Sequence, residues 1–505
     1  MPSFRRHFTS LLLTLPLVLT TLPAQNEMSA GSGEPLTVDD AIQQALAKNF
    51  SIKVSGFDAS IAAAGVTEAL GKFDPTINGR YLYQENNDPL LTFDPSGERD
   101  TTRDKTDSYE LSLDGLLPWG MTYRLGAQGV NARSRLNGYA DNFDTFAGVS
   151  GTQPLLRDFG FGATLASVRI ARTNRHIGNQ QFRQSVIDTV TQVVRAYYDL
   201  GFAHAYLRSA TRSRDLAAGL LGENEKRYKV GSTSEYDVTQ ARARVASRED
   251  QVLQAERQVL DAENFLKQLI SDDRSTSLLN RHLLISRPPP APIVVVDPAA
   301  DFRIALENRP DYQQARLVLD RTGINRRLQR NQLLPRVDLV GSYGYSGFDT
   351  KNSGSWDQVE NRQYNSYSYG VVASLPITFT TERGRYRAAK LREQQAETQL
   401  QDLEQNIVVF VGNAAGQIET AQKRIQANRR ARELAQATLV AEEKRLRAGA
   451  AGSGTFFVAQ QQELLAFAEV QEASAHADYY KALAEYDRQL GVTLEKRGIK
   501  IDPPR

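Results

Sequence analysis

The chain has no proline between Pro154 and Pro288, and none between Pro376 and Pro503. Proline removes a backbone donor and breaks a helix, so each span can run as helix with little interruption. Each also carries one breaker. In the first it is Gly231-Ser232-Thr233-Ser234, within RYKVGSTSEYDV (Arg227–Val238). In the second it is GAAGSG, from Gly449 through Gly452 to Gly454. A glycine with small polar residues between two long helices favours chain reversal, giving a helical hairpin. The helices carry coiled-coil seams at 4-3-4-3 spacing. One is Val186, Val190, Val193, Tyr197 and Leu200. A second runs Ala241, Val245, Arg248, Val252, Ala255, Val259, Ala262, Leu266, Leu269, and a third Leu465, Ala468, Glu472, Ala475, Tyr479, Ala482, Tyr486. A helix from residue 157 to 229 would be about 110 Å long, beyond any ordinary globular core. Alanines off the seam, Ala243 and Ala246, predict packing on more than one side, as in a multi-helix barrel.

The two spans belong to a duplicated plan. AIQQALAKNFSI (Ala41–Ile52) resembles FRIALENRPDY (Phe302–Tyr312), and Leu46 lies 29 residues before Pro75 as Leu306 lies 29 before Pro335. GVSGTQPLLRDFGFG (Gly148–Gly162) resembles GVVASLPITFTTERG (Gly370–Gly384), an offset of 222. EKRYKVG (Glu225–Gly231) resembles EKRLRAG (Glu443–Gly449), an offset of 218, and YDVTQARA is echoed by FFVAQQQE. Four matched blocks in one order define two repeats, 31–286 and 301–505, joined by a proline-rich linker at 287–300. Each runs helix, strands, long helix, breaker, helix. The expected strands lie at about 76–153 and 336–376, and the hairpins at about 157–271 and 384–491.

SYELSLDGLLPWGMTYRLGAQG (Ser108–Gly129) alternates with period two. Tyr109, Leu111 and Leu113 face one way, and Ser108, Glu110, Ser112 and Asp114 the other. A soluble sandwich hides such an apolar face; a membrane barrel turns it to lipid. Strand length near the span of a tilted transmembrane strand, tyrosines at the expected strand ends (Tyr81, Tyr83, Tyr343, Tyr345, Tyr364, Tyr367, Tyr369) and polar intervening loops favour the membrane. So few strands cannot close a barrel, and a barrel leaves no edges, so several chains must contribute. Pro75 to Pro154 spans more chain than Pro335 to Pro376. The extra segment, about 107–131, is either an inserted hairpin or a long extracellular excursion.

Arg5, Arg6 and His7 precede an apolar stretch from Leu11 to Leu22 followed by small residues. This order reads as a secretory signal peptide over residues 1–24, with cleavage near Ala24 or as late as Ala30. The chain has no cysteine, which excludes disulfides, thiolate metal sites, cysteine nucleophiles and a lipidated cysteine. A net charge of +2 is too balanced for a nucleic-acid binder.

The ordered set of ALAKNFSI and ALENRPDY, QPLLRDFG after the last strand of the first repeat, and RYKVGSTSEYDV is similar to the TolC-like outer membrane factor family, over nearly the whole mature chain. The resemblance implies an α+β membrane protein. Its homotrimer would form an outer-membrane β-barrel continued by a long periplasmic α-helical coiled-coil barrel. Twelve strands is the family default, and an inserted hairpin would make eighteen. It implies a passive exit duct of a tripartite efflux pump or type I secretion system, working with a periplasmic adaptor protein and an inner-membrane transporter. It also implies that the hairpin turns are periplasmic tips that dock the adaptor beside a closable entrance. The matching tip residues are Arg227, Tyr228, Val230, Gly231, Ser234, Tyr236, Asp237 and Val238, with Arg445 and Gly449 in the second repeat, whose remaining turn departs from the pattern; Lys226, Ser232 and Gly452 complete the candidate docking set. Asp237, Phe456, Phe457 and Gln460 are the candidate entrance residues. Phe457 and Gln460 stand where many members carry carboxylates, and Phe456 and Phe457 would make an apolar constriction if they face the lumen.

Other motifs point nowhere else. Gly160-Phe161-Gly162 opens a helix after a strand, yet Leu165 stands where a dinucleotide loop needs its third glycine. Gly449–Gly454 lacks the Lys-Ser/Thr of a phosphate loop. No zinc or nucleophile motif is present, so no catalytic, cofactor or metal residue is expected. Lys226, Arg227 and Lys229, with Lys444, Arg445 and Arg447, make each tip basic, for electrostatic docking or simply as a solvated face beside Glu223, Glu225, Glu442 and Glu443. The rival from another class is an exported coiled-coil structural or adhesive protein without a lumen.

Overall fold

The computed structural model describes residues 36–93, 99–286, 292–448 and 455–502. The signal-peptide stretch, the first five residues of the proline-rich linker (287–291), and Gly449 and Gly452 of the second breaker lie outside these. The chain opens with α1 (Val38–Lys48) and α2 (Phe50–Gly71), followed by β1 (Thr76–Phe93), β2 (Arg99–Leu116), β3 (Thr122–Arg133) and β4 (Phe143–Pro154). Then come α3 (Gly160–Thr164), α4 (Ala166–Lys229), α5 (Glu235–Ile270) and α6 (Ser277–Asn280). The second half holds α7 (Pro298–Asn308), α8 (Pro310–Asn331), β5 (Arg336–Asp349), α9 (Asn352–Glu360), β6 (Tyr364–Ser374), α10 (Thr380–Arg447), α11 (Thr455–Leu490) and α12 (Thr493–Lys496).

Each half begins with an 11-residue and then a 22-residue helix. The long helices α4 and α10 have 64 and 68 residues, or about 100 Å at 1.5 Å per residue. α4 starts later than the sequence predicts. Leu165 leaves helical geometry (φ −90°, ψ 4°), so the junction after the sheet is a separate short turn of helix. α4 packs against α5 and α11, and α10 against α11, while α2 and α8 flank the upper part of α4. The core lies where these helices meet. It is made of the predicted seams: Val186, Val190, Val193, Leu200, Leu266, Ala475 and Tyr479 are all at most 1% exposed. Burying each large aliphatic side chain contributes about 1.5–3 kcal/mol. Ala243 and Ala246 face outward in the single chain, leaving that side open.

All six strands form one antiparallel sheet in the order β1-β2-β3-β4-β5-β6. The 107–131 segment is a hairpin within it, with Leu111 opposite both Gly79 and Ala127 and Leu113 opposite both Ile77 and Leu125. Register carries one face across every strand: Ile77, Leu111, Leu125, Val149, Tyr343 and Tyr367 share it, each 43–76% exposed. The opposite face holds Asn78, Asp114, Arg124, Ser150, Ser342 and Ser368. Arg124 donates to Asp114 at 2.8 Å and to Glu110 at 3.2 Å.

Three expectations for the strands need correcting. The segment after Tyr83, read as a polar loop, is mostly strand: β1 and β2 pair as far as Pro89–Thr101. Polar cross-strand contacts such as that of Arg103 with Glu85 replace apolar pairing there. Tyr81, Tyr83, Tyr343, Tyr345, Tyr367 and Tyr369 therefore stand inside their strands, while Tyr364 opens β6 as expected and pairs with Ser346 on the polar face. The polar β5–β6 connection contains α9, which folds back over Tyr109. Trp356 Nε1 donates to Tyr109 Oη at 3.0 Å, and that hydroxyl donates to Asn352 Oδ1.

Candidate functional site: the helical tips and the entrance niche

The first breaker is a complete reversal. Lys229 ends α4, Val230 caps it, and Gly231 takes φ +74°, a left-handed conformation that costs a residue with a Cβ about 1–2 kcal/mol. Gly231 N–H donates to the Tyr228 carbonyl (2.9 Å) and Ser232 N–H to the Arg227 carbonyl (2.8 Å). This is the Schellman pattern that satisfies the last carbonyls of a helix. Two residues on, Ser234 caps α5. Its Oγ accepts from Asp237 N–H at 3.2 Å, and the Asp237 carboxylate accepts from Ser234 N–H at 3.1 Å, a reciprocal capping box. The Ser234 and Thr233 hydroxyls also donate to Asp237, at 2.6 and 2.9 Å. These hydrogen bonds, the Ser234 hydroxyl first, hold the Asp237 carboxyl below its ordinary value. Asp237 is thus occupied in holding the turn. Tyr228, Val230 and Tyr236 are left exposed at 46, 78 and 72%.

The basic residues are partly neutralised along their own helices. Lys226 pairs with Glu223 at 3.0 Å, Arg445 with Glu442 at 3.1 Å and Arg447 with Glu443 at 3.8 Å. Arg227, Lys229 and Lys444 have no carboxylate partner among the described residues.

The fold brings part of the candidate entrance set together. Phe456 lines one narrow niche with Asp237, Arg244, Leu220 and Asn224. The Arg244 guanidinium lies 5.8 Å from the Phe456 ring centroid, within cation–π range. Phe457 meets Phe456 edge-to-face at 5.6 Å and is half exposed. Gln460 lies further along, in a groove with Arg248 and Glu463. Arg248 Nη2 and Glu463 Oε1 are 3.0 Å apart, and Arg212 and Glu469 3.2 Å. Sequence reading missed Arg244 and the partner of Arg248. For Arg248 the signal was a charged residue inside an apolar seam, which needs a counter-charge from another helix; Arg244, off the seam, carried no such signal. Together these contacts tie the second hairpin's returning helix to the first hairpin, and parting the hairpins must break them.

Among the described residues no helix is long and apolar enough to cross a membrane. The sequence profile of the outer membrane efflux protein family matches residues 120–271 and 302–492. No curated protein matches the chain. Among solved structures, the outer-membrane channel OprN is similar at 18% identity, with a TM-score of 0.67 over 90% of this chain and 89% of that one. The Campylobacter jejuni CmeC outer membrane channel is similar at 15% identity, with a TM-score of 0.66 over 95% and 94%. VceC, an outer membrane protein of Vibrio cholerae, is similar at 16% identity, with a TM-score of 0.66 over 90% and 96%.

Proposed function

The chain belongs to the outer membrane efflux protein family, and from that premise we propose how it works as an outer-membrane efflux channel extending into the periplasm. The observation that carries the reading is continuity: a sheet with one apolar exposed face leads directly into helices of 64 and 68 residues. Three copies close the structure. β1 and β6 are free edges in one chain, and edge-to-edge pairing around a threefold axis makes an eighteen-strand barrel, six from each chain, enclosing the polar face. The helices have matching open sides. On α2, Phe50, Val54, Phe57 and Ile61 form an exposed apolar stripe, 48–69% accessible. On α10, Val408, Val409 and Phe410 are 46–52% exposed. Each would be covered by a neighbouring copy.

The duct is passive, built from two copies of one unit, and receives cargo from an inner-membrane transporter through a periplasmic adaptor. The tips carry both docking and gating. Tyr228, Val230 and Gly231 of the first, with Arg445, Gly449 and Gly452 of the second, present the adaptor surface. The Arg244–Phe456 and Arg248–Glu463 contacts hold the entrance closed until the hairpins part. Purified trimer in a planar bilayer should conduct poorly, and Arg248→Ala with Arg244→Ala should raise conductance several-fold. A well-folded trimer that never conducts, in either form, overturns the duct.

A further inference from the structure

We propose that the junction between sheet and helices is a phospholipid-binding collar, in which an apolar belt continues the lipid face and arginines just beneath it take the headgroup phosphates of the periplasmic leaflet. This rests on the outer-membrane reading above. The belt begins where β4 ends. Leu155 N–H still donates to the Val337 carbonyl (2.7 Å), so alternation keeps Leu155 on the face shared by Val149 and Tyr343. The chain then turns without covering its large side chains: Leu155, Phe159, Phe161 and Trp119 are 41, 53, 55 and 39% exposed. Trp119, in the β2–β3 turn, packs edge-on against Phe161 at 6.5 Å, and Gly160 N–H donates to the Trp119 carbonyl at 3.0 Å. A contiguous exposed apolar patch needs an occupant, and this one abuts a face already turned to lipid. A tryptophan at such a boundary suits the membrane–water interface, where its ring is apolar and its N–H is wet.

The charge lies directly below. From Phe159 to Ile177 the chain carries Arg169, Arg172 and Arg175 and no carboxylate. The matching start of α10 carries Arg383, Arg385, Arg387 and Lys390 against the single Glu382. Arg169, Arg172, Arg175, Arg383, Arg385 and Arg387 are all exposed, and none pairs with a carboxylate among the described residues. That contrasts with the tips, where intrahelical pairs form. Arg169 Nη2 reaches only the Phe161 carbonyl, at 3.4 Å, which places its guanidinium beside the belt. Asp158, in the turn before α3, is engaged by Gln332 at 2.5 Å and lies 3.9 Å from Arg157. Arg169 and Arg172 sit in the first turns of α4, a helix flanked by α2 and α8. Unpaired arginines against an apolar belt suit an anionic headgroup whose acyl chains lie on that belt.

The chain has two tryptophans, so Trp356→Phe leaves Trp119 as the sole reporter. The full-length variant would be reconstituted in phosphatidylcholine vesicles containing brominated phosphatidylglycerol or, at equal mole fraction, brominated phosphatidylcholine. Brominated chains should quench Trp119, with the anionic lipid preferred about two- to fivefold. Arg169→Gln with Arg172→Gln should bring that ratio to about one. A Leu125→Trp reporter in a Trp119→Phe, Trp356→Phe background marks the middle of the lipid face. Quenching at position 125 without quenching at Trp119 overturns the collar and leaves the barrel standing. Equal quenching by both lipids, or an anionic preference unchanged by the arginine variants, overturns the headgroup site. No quenching at either position overturns the membrane reading itself.

Discussion

The two halves of the chain share their helices and differ in their strands and in how they finish their buried contacts. The first half inserts β2 and β3 between the strands that correspond to β5 and β6, and it fastens them at one point. Gly120, at φ +100°, lets the turn approach the Asp158 carbonyl, which an added Cβ would meet at 2.6 Å. The second half has no such docking. Near the level of the periplasmic core the difference reverses. An offset of 260 aligns Ala41 with Asp301, and the tip alignment pairs Leu266 with Tyr486. Ala41 and Leu266 are fully buried apolar residues, while the Tyr486 hydroxyl donates to the buried Asp301 carboxylate at 2.5 Å. Burial, and then that carboxylate, push the Tyr486 hydroxyl above its ordinary range. Equivalent places in the two halves thus accept either an apolar or a hydrogen-bonded solution, provided it is complete.

The largest expected effect breaks the strand asymmetry. Gly120→Val combines positive φ with a backbone clash and should cost at least about 3 kcal/mol. It would be read as a shift in the denaturant midpoint of the sheet signal. Gly370→Ala in the second half places its carbon 3.7 Å from Val340, an ordinary contact, and should shift it by less than about 1 kcal/mol. Equal shifts would show that the inserted hairpin needs no docking. Next, Tyr486→Phe strands the Asp301 carboxylate and should lower stability by about 1–3 kcal/mol. Converting the pair to its first-half counterpart, Asp301→Ala with Tyr486→Leu, should restore most of that loss. A double variant no better than the single one would sink the equivalence.

At the tips the effects are smaller. Gly231→Val should cost about 1–2 kcal/mol and impair export from cells while the trimer still inserts; unchanged export removes Gly231 from the docking surface. Ser234→Ala removes the cap of α5, at about 1 kcal/mol, visible as fraying in hydrogen exchange confined to the first turn. The pH dependence has a definite sign. Asp237 titrates below its ordinary value of 3.8 when folded. Its contribution is therefore present above that value and is lost as pH falls through the depressed folded value. In Asp237→Asn the acid-induced loosening of the first tip should disappear.

Much of this was legible in the sequence because it depends on local chemistry. The seams from Val186 and Leu465 show as period, and Gly231 and Ser234 show as a stop and a start. Leu111 and Leu113 declare their face by alternation. The extent of β1 and β2 was not legible, since their upper halves are paired by polar side chains that carry no apolar alternation. Nor was α9, whose place depends on Tyr109, far away in sequence. Of the candidate entrance residues, Asp237 and Phe456 were named from the sequence, while Arg244 came only with the packing of α5 and α11 on α4, which lets its side chain reach Phe456.

By itself the sequence determined the long helices, the reversal between α4 and α5, and a sheet with one apolar face. Each follows from backbone propensity and side-chain period within a few turns or strands. Tertiary structure alone decided the single six-stranded sheet, the docking of Trp119 on Phe161 and the ties between hairpins through Arg244 and Arg248. These join residues from a few dozen to more than two hundred positions apart, and only the register of strands and the packing of helices can set which of them meet.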